Sequence, residues 1–168
     1  LNTCDCVDEI VVVTRLESLE KVAALCREYR IHKVEKVVVG GATRTESALA
    51  GLVQIRRSAK YVLIHDGARP LVTAKEITST LKAAMKYGAA AVGVPVKDTI
   101  KVIDKDNKII DTPERSSLIA IQTPQIFKFD KYVSAMNLAT EQGKDFTDDC
   151  KLLENMNESV YVVIGEYS

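Results

Sequence analysis

Read for its apolar and polar positions, the chain switches repeatedly between a strand rhythm and a helix rhythm. Residues 9–14 (EIVVVT) form a nearly continuous β-branched run, the pattern of a strand buried on both faces. Leu16, Leu19, Val22, Ala23, Cys26 and Tyr29 then recur at helical spacing. Residues 36–39 (KVVV) end a second strand, and 45–58 read as a helix with Ala48, Leu49, Leu52 and Ile55 turned inward. A third strand is expected at 61–65. Thr73 and Glu76 have the spacing of a capping box, in which side chain and backbone satisfy each other's open donors at a helix start. That helix should run to Tyr87 and stop at Gly88, with a further strand at 89–95 (AAAVGVP).

The rhythm breaks at Asp98. Two short strand-like runs, 99–103 and 108–112, flank the polar turn Asp104-Lys105-Asp106-Asn107 and predict a hairpin too polar to belong to the core. Helices at 130–142 and 147–156 and a last strand at 160–164 (VYVVI) complete the pattern. The alternation predicts an α/β fold, a mainly parallel sheet with helices on both faces and a protruding β-hairpin arm at about 98–115. No repeat, low-complexity stretch or linker divides residues 1–168, so a single domain is expected.

Composition narrows the function. Lys plus Arg and Asp plus Glu are 23 each, which argues against a general nucleic-acid binder while leaving room for a local phosphate pocket. No apolar run reaches the length that spans a bilayer, and no signal peptide is visible, so a cytoplasmic protein is expected. Cys4 and Cys6 form a C-x-C pair, a poor zinc signature without a second pair; with Cys26 and Cys150 they read as reduced thiols.

Four stretches fall where ligands sit in open α/β sheets, beyond the carboxyl ends of strands. Residues 40–47 (GGATRTES) follow a strand and open a helix; paired glycines admit a ligand to the backbone, and the helix start offers free N–H groups. The same turn also fits a purely structural role. In 65–70 (HDGARP), Asp66 suits a hydroxyl or Mg²⁺ and Arg69 a phosphate, although an Asp66–Arg69 pair that merely braces the loop fits as well. His65 is either a base or, more commonly for a His ending an apolar strand, satisfied by backbone. Lys97, Lys101 and Arg115 bring positive charge to the hairpin, which is otherwise an ordinary solvated arm. The last stretch joins 122–125 (QTPQ) to Thr147-Asp148-Asp149, where Thr147 suits a helix N-cap and the two acids the first turn.

Together these segments resemble the 2-C-methyl-D-erythritol 4-phosphate cytidylyltransferases of the non-mevalonate isoprenoid pathway. The likeness rests on GGATRTESALAGL (40–52), VLIHDGARPLV (62–72), VPVKDTIKVID (94–104), PERSSLIAIQTPQIF (113–127) and FTDDCKLLE (146–154), five collinear matches over nearly the whole chain. The resemblance implies a Rossmann-like fold, a homodimer embraced by the β-arm, CTP and a sugar-alcohol phosphate as substrates, and Mg²⁺ as cofactor. It implies that Gly41, Ala42 and Ser47 line the cytosine pocket, that Arg44 supports that loop, and that Gly67 touches the nucleotide through its backbone. Asp66 and Arg69 would hold the alcohol phosphate, with hydroxyl contacts from Thr123 and Thr147. Thr99 and Arg115 would reach the partner subunit's site, where Arg115 positions the substrate phosphate for attack.

The family pattern also has a Gly-rich loop with Arg and Lys ahead of the first strand and a Lys after the last one; neither is found in residues 1–168. On this reading the chain is incomplete at both ends and shows little activity by itself. Gly67 stands where Ala is usual. The rival readings are a ribitol-5-phosphate cytidylyltransferase and an inactive dimerising piece; a dinucleotide-dependent oxidoreductase is disfavoured because no G-x-G-x-x-G follows a strand.

Overall fold

The computed structural model describes residues 1–167. Two strands, β1 (Ile10–Thr14) and β2 (Val34–Val39), pair in parallel and are joined by a short 3-10 turn and α1 (Leu19–Glu28). Helix α2 (Arg44–Leu52) leads from β2 to β3 (Tyr61–Ile64), and α3 (Ala74–Tyr87) leads from β3 to β4 (Ala89–Pro95). The chain then leaves the body for the hairpin of β5 (Val102–Ile103) and β6 (Ile109–Asp111). It returns through β7 (Ile119–Lys128), α4 (Phe129–Glu141), α5 (Asp149–Glu154) and β8 (Tyr161–Ile164).

The main sheet has the order β3–β7–β4–β8. Strands β3 and β4 both run antiparallel to β7, and β8 runs parallel to β4, so three strands point one way and β7 opposes them. The parallel pattern expected from the sequence is therefore interrupted at its centre by a strand that the periodicity missed. Pro124 hid it, because a proline lacks the N–H that a central strand needs. Here Ala91 pairs with Gln125 and Gly93 with Ile121, so a short step in β4 opposes a longer one in β7. Pro124 sits inside this bulge, where no ladder bond is asked of it.

Other expectations meet their structural outcome locally. Thr73 and Glu76 make both bonds of the capping box, and α3 ends at Gly88 with φ of 94°, a conformation that glycine adopts without strain. The second helix stops at Leu52 rather than at residue 58, because Glu9 captures the following turn, accepting from the Arg56 backbone N–H at 3.0 Å and from its guanidinium at 2.8 Å. Thr147 is not the cap of α5; Asp148 accepts the Lys151 N–H instead. Leu16 and Tyr29, which share the helical spacing of the first helix, fall outside α1 and are exposed.

The core lies between α2, α4, α5 and the sheet, around Leu52, Val62, Phe127, Tyr132, Met136 and Leu153. A smaller cluster joins Ala84 of α3 to Ala90 and Ile126 on the other face. Strand β1 falls short of the full burial its sequence predicts: all five residues are only half-buried. The reason is a cleft of about 1870 Å³ along its free edge. The far wall of this cleft is the free edge of β3; α2 and the turn after it contribute Leu52 and Ile55, and α3 contributes Ile77 and Leu81. Among the described residues no ladder joins β1 to β3.

Candidate functional site

One end of the cleft is closed by two loops, 40–47 after β2 and 65–67 after β3. The first is shaped by the start of α2. Thr43 caps the helix by accepting from the Glu46 N–H at 3.2 Å. The Glu46 carboxylate reaches back to the N–H of Ala42 at 2.7 Å and of Thr43 at 3.4 Å. The Ser47 hydroxyl donates to the Thr43 carbonyl at 2.8 Å. Gly41 packs so closely on Glu46 that a Cβ there would lie 2.2 Å from the Glu46 Cβ. Gly41 and Ala42 thus present exposed backbone to the cleft, with the Ala42 N–H shared with a carboxylate.

The second loop is fastened from beneath by His65. Its Nε2 lies 3.0 Å from the Arg69 carbonyl and its Nδ1 3.0 Å from the Thr123 hydroxyl. A carbonyl only accepts, so Nε2 carries the proton and Nδ1 accepts from Thr123. Burial, more than any neighbour, holds the imidazole below its ordinary pKa, which keeps it neutral. The Thr123 hydroxyl also accepts the Asp66 N–H at 3.1 Å. His65 is therefore satisfied by its surroundings, as its place at a strand end suggested. Thr123 is buried, with its hydroxyl engaged twice inside the loop, so it braces the loop instead of offering a free hydroxyl. Asp66 and Arg69 face solvent 3.7 Å apart, a contact too long and too exposed to hold the loop by itself. Gly67 is open: nothing lies within 4 Å of a Cβ built on it.

Arg44 is the first residue of α2 and turns under the loop to pair with Asp149 at the start of α5. Burial opposes its charge, but the Asp149 carboxylate outweighs that cost and holds the guanidinium above its ordinary pKa. Sequence reasoning grouped Gln125 with Asp149 but gave the acid only a place in a first helical turn; it missed the pairing of Asp149 with Arg44, and it missed Tyr132 altogether.

The cleft thus brings together Gly41, Ala42, Arg44, Ser47, Asp66 and Gly67. Arg69 sits just outside it in the same loop. Thr147 is exposed ahead of α5, while Thr99 and Arg115 stand on the arm, away from the cleft. Arg115 donates to the Lys97 carbonyl at 3.0 Å across the root of the arm. Lys97 in turn lies 3.9 Å over the Tyr167 ring, and the Tyr167 hydroxyl donates to the Pro95 carbonyl at 2.6 Å. Within 98–115 only Asp104 and Pro113 are even half-buried, and Ile100, Val102, Ile103, Ile109 and Ile110 are exposed. No group of three or more His, Cys, Asp or Glu able to hold a metal ion occurs among the described residues. Among the described residues no helix is long and apolar enough to cross a membrane.

Comparison with known proteins places this geometry. A protein 47% identical over 166 residues is the 2-C-methyl-D-erythritol 4-phosphate cytidylyltransferase of Caldanaerobacter subterraneus subsp. tengcongensis; the match covers 96% of this chain and 71% of that protein. The enzyme of the same name from Clostridium botulinum is 41% identical, with coverage of 99% and 73%. The crystal structure of 4-diphosphocytidyl-2C-methyl-D-erythritol synthase from Anaerococcus prevotii superposes with a TM-score of 0.89 at 31% identity, covering 98% of this chain and 73% of that one. The family model described as IspD, 2-C-methyl-D-erythritol 4-phosphate cytidylyltransferase, matches residues 1–168, and the chain belongs to that family of nucleotidyltransferases.

Proposed function

We propose that the chain transfers the cytidylyl group of CTP to 2-C-methyl-D-erythritol 4-phosphate and releases pyrophosphate, with loops 40–47 and 65–69 as the bed of both substrates. The supporting observation is that both loops open into one cleft, with exposed glycine backbone on each side and the start of α2 at its floor. Backbone groups at Gly41 and Ala42 would meet the cytosine edge, with Ser47 lining that pocket and Arg44 beneath it. A base that takes the Ala42 N–H has to displace the Glu46 carboxylate, an exchange of one acceptor for another. Gly67 would approach the nucleotide through its backbone. Asp66, Arg69 and Thr147 would hold the alcohol phosphate, and Thr123 would act on it only through the loop it braces.

In the reaction a phosphate oxygen of the alcohol phosphate bonds to the α-phosphorus of CTP. The bridging P–O bond to the β-phosphorus breaks, and its electrons leave with pyrophosphate. The attacking oxygen is already anionic, so no strong base is required. A neutral His65 with both nitrogens engaged suits that economy. Positioning and charge neutralisation do the work. Mg²⁺, bound mainly by the triphosphate, would neutralise the charge that develops there. Asp8 and Asp66 are the exposed carboxylates that line the cleft, and Asp66, in the loop assigned to the substrates, would serve as its protein ligand.

The arm belongs to the same proposal. Its row of exposed isoleucines suits a second copy of this chain, and the dimer would carry Thr99 and Arg115 to the partner's site, where Arg115 grips the substrate phosphate. The enzyme would work in the cytoplasm, as its four free cysteines allow. Pyrophosphate release from CTP, measured with a full-length enzyme carrying this sequence, tests the reading. Methylerythritol phosphate should be the better acceptor, and a preference for ribitol 5-phosphate would sink it.

A further inference from the structure

Four elements meet in one buried polar cluster beneath the nucleotide loop. Asp149 of α5 is 1% exposed. Its Oδ2 pairs with Arg44 of α2, and its Oδ1 accepts the Tyr132 hydroxyl of α4 at 2.6 Å. Its backbone N–H donates to Gln125 Oε1 of β7 at 3.1 Å. Tyr132 is fully buried and stacks on Phe127 with ring centroids 5.2 Å apart. Burial first, and then the Asp149 carboxylate, push the Tyr132 phenol well above its ordinary pKa, so it stays a donor at any working pH. A second link runs alongside the first. Asp145 accepts the Thr45 N–H at 3.1 Å, and the Thr45 hydroxyl accepts the Phe146 N–H at 3.0 Å.

Fold stability alone asks for none of this. Replacing a buried ion pair by apolar side chains is often neutral or stabilising. The cluster does, however, fix direction. Asp149 has one oxygen committed to Tyr132 and the other to Arg44, so its carboxylate cannot rotate without breaking a charge-assisted bond. Arg44 is thereby held at the first turn of α2, three residues past Gly41. Thr147 lies two residues before Asp149. The same carboxylate therefore sets the start of α2 against the start of α5.

We propose that Asp149, oriented by Tyr132, is a positioning residue that holds the nucleotide loop and the Thr147 segment in a fixed relation. The proposal rests on the reading of 40–47 as the nucleotide loop. Its signature is a change in apparent affinity for both substrates, traced to residues that touch neither.

The test uses the full-length enzyme and three substitutions. Tyr132→Phe keeps the ring stack and removes one donor. Asp149→Asn keeps the shape and removes the charge that orients Arg44. Arg44→Ala removes the guanidinium itself. Loss of one partner of a charge-assisted bond predicts about a tenfold rise in KM for CTP in Asp149→Asn, and a smaller one in Tyr132→Phe. KM for the alcohol phosphate should rise with it. The double variant Arg44→Ala/Asp149→Asn should be no worse than Arg44→Ala alone, since both remove one linkage. A merely structural role would lower the melting temperature and the active fraction while leaving both KM values in place, and that result overturns the proposal. If Arg44→Ala itself leaves the KM for CTP unchanged, the nucleotide-loop reading fails first. If Arg44→Ala raises it but Asp149→Asn and Tyr132→Phe do not, the loop reading stands and Asp149 is not its bracket.

Discussion

The two cleft loops each carry an exposed glycine, and adding one methyl group should move stability in opposite directions at the two sites. At Gly41 the new Cβ would lie 2.2 Å from the Glu46 Cβ, 2.6 Å from its Oε2 and 3.3 Å from its backbone carbon. A rotamer change relieves the second contact but not the first, so the loop itself must shift. Glu46 then loses its bonds to the Ala42 and Thr43 N–H groups, the reciprocal half of the α2 cap. Losing a cap costs about 1 kcal/mol, and forcing atoms into a packed site adds about 1 kcal/mol or more. Gly→Ala also stabilises by about 0.4–1 kcal/mol through the unfolded chain, which offsets part of this. The net expectation for Gly41→Ala is a loss of about 1–2 kcal/mol, or roughly 2–8 °C in Tm for a domain of this size. At Gly67 nothing lies within 4 Å of the added Cβ, and its backbone is outside the left-handed region, so only the unfolded-chain effect remains. Gly67→Ala should raise stability by about 0.4–1 kcal/mol. Urea unfolding of the three proteins measures both changes against one slope. Equal shifts of the same sign would refute the reasoning, because they would mean that Glu46 does not crowd Gly41.

Three further outcomes are expected. Arg115→Ala should lower turnover by about a hundredfold while leaving CTP affinity nearly intact; unchanged turnover in steady-state assays removes Arg115 from catalysis. Because burial holds His65 below its ordinary value in the folded chain, the unfolded chain takes up the proton first, so stability should fall as pH drops below about 6.5. His65→Gln should flatten that slope in thermal melts, and a slope unaltered by the substitution would place its source elsewhere. Ile103→Asp with Ile109→Asp should leave the body folded and shift the sedimentation coefficient from dimer to monomer; a persistent dimer would mean that the arm is not its interface.

Sequence reading recovered the elements that are locally determined and lost those settled by distant partners. The capping box at Thr73 is written in two residues three apart and the stop at Gly88 in a single glycine, and both stand as expected. Strand β7 was lost because Pro124 vetoes a central strand unless a bulge in β4's pairing excuses it, and a bulge depends on two strands at once. The cleft loops were found because glycine pairs and an Asp–Arg motif follow apolar runs. Their supports were not, because Tyr132 and Asp149 lie 17 residues apart, on separate helices, and each had an adequate local explanation. Thr123 shows the converse case, a residue rightly singled out whose hydroxyl faces into the loop.

The fastening at the root of the arm decides where the arm can yield. Arg115 and the Tyr167 hydroxyl hold the Lys97 and Pro95 carbonyls, and the Lys97 ammonium lies over the Tyr167 ring, so three segments far apart in sequence share one anchor. Beyond that anchor the hairpin is exposed along nearly its whole length, whereas β4, from which it springs, is buried. The arm is thus a lever with a pinned base and a free tip, and its amide protons should exchange far faster than those of β4 a few residues earlier in the chain.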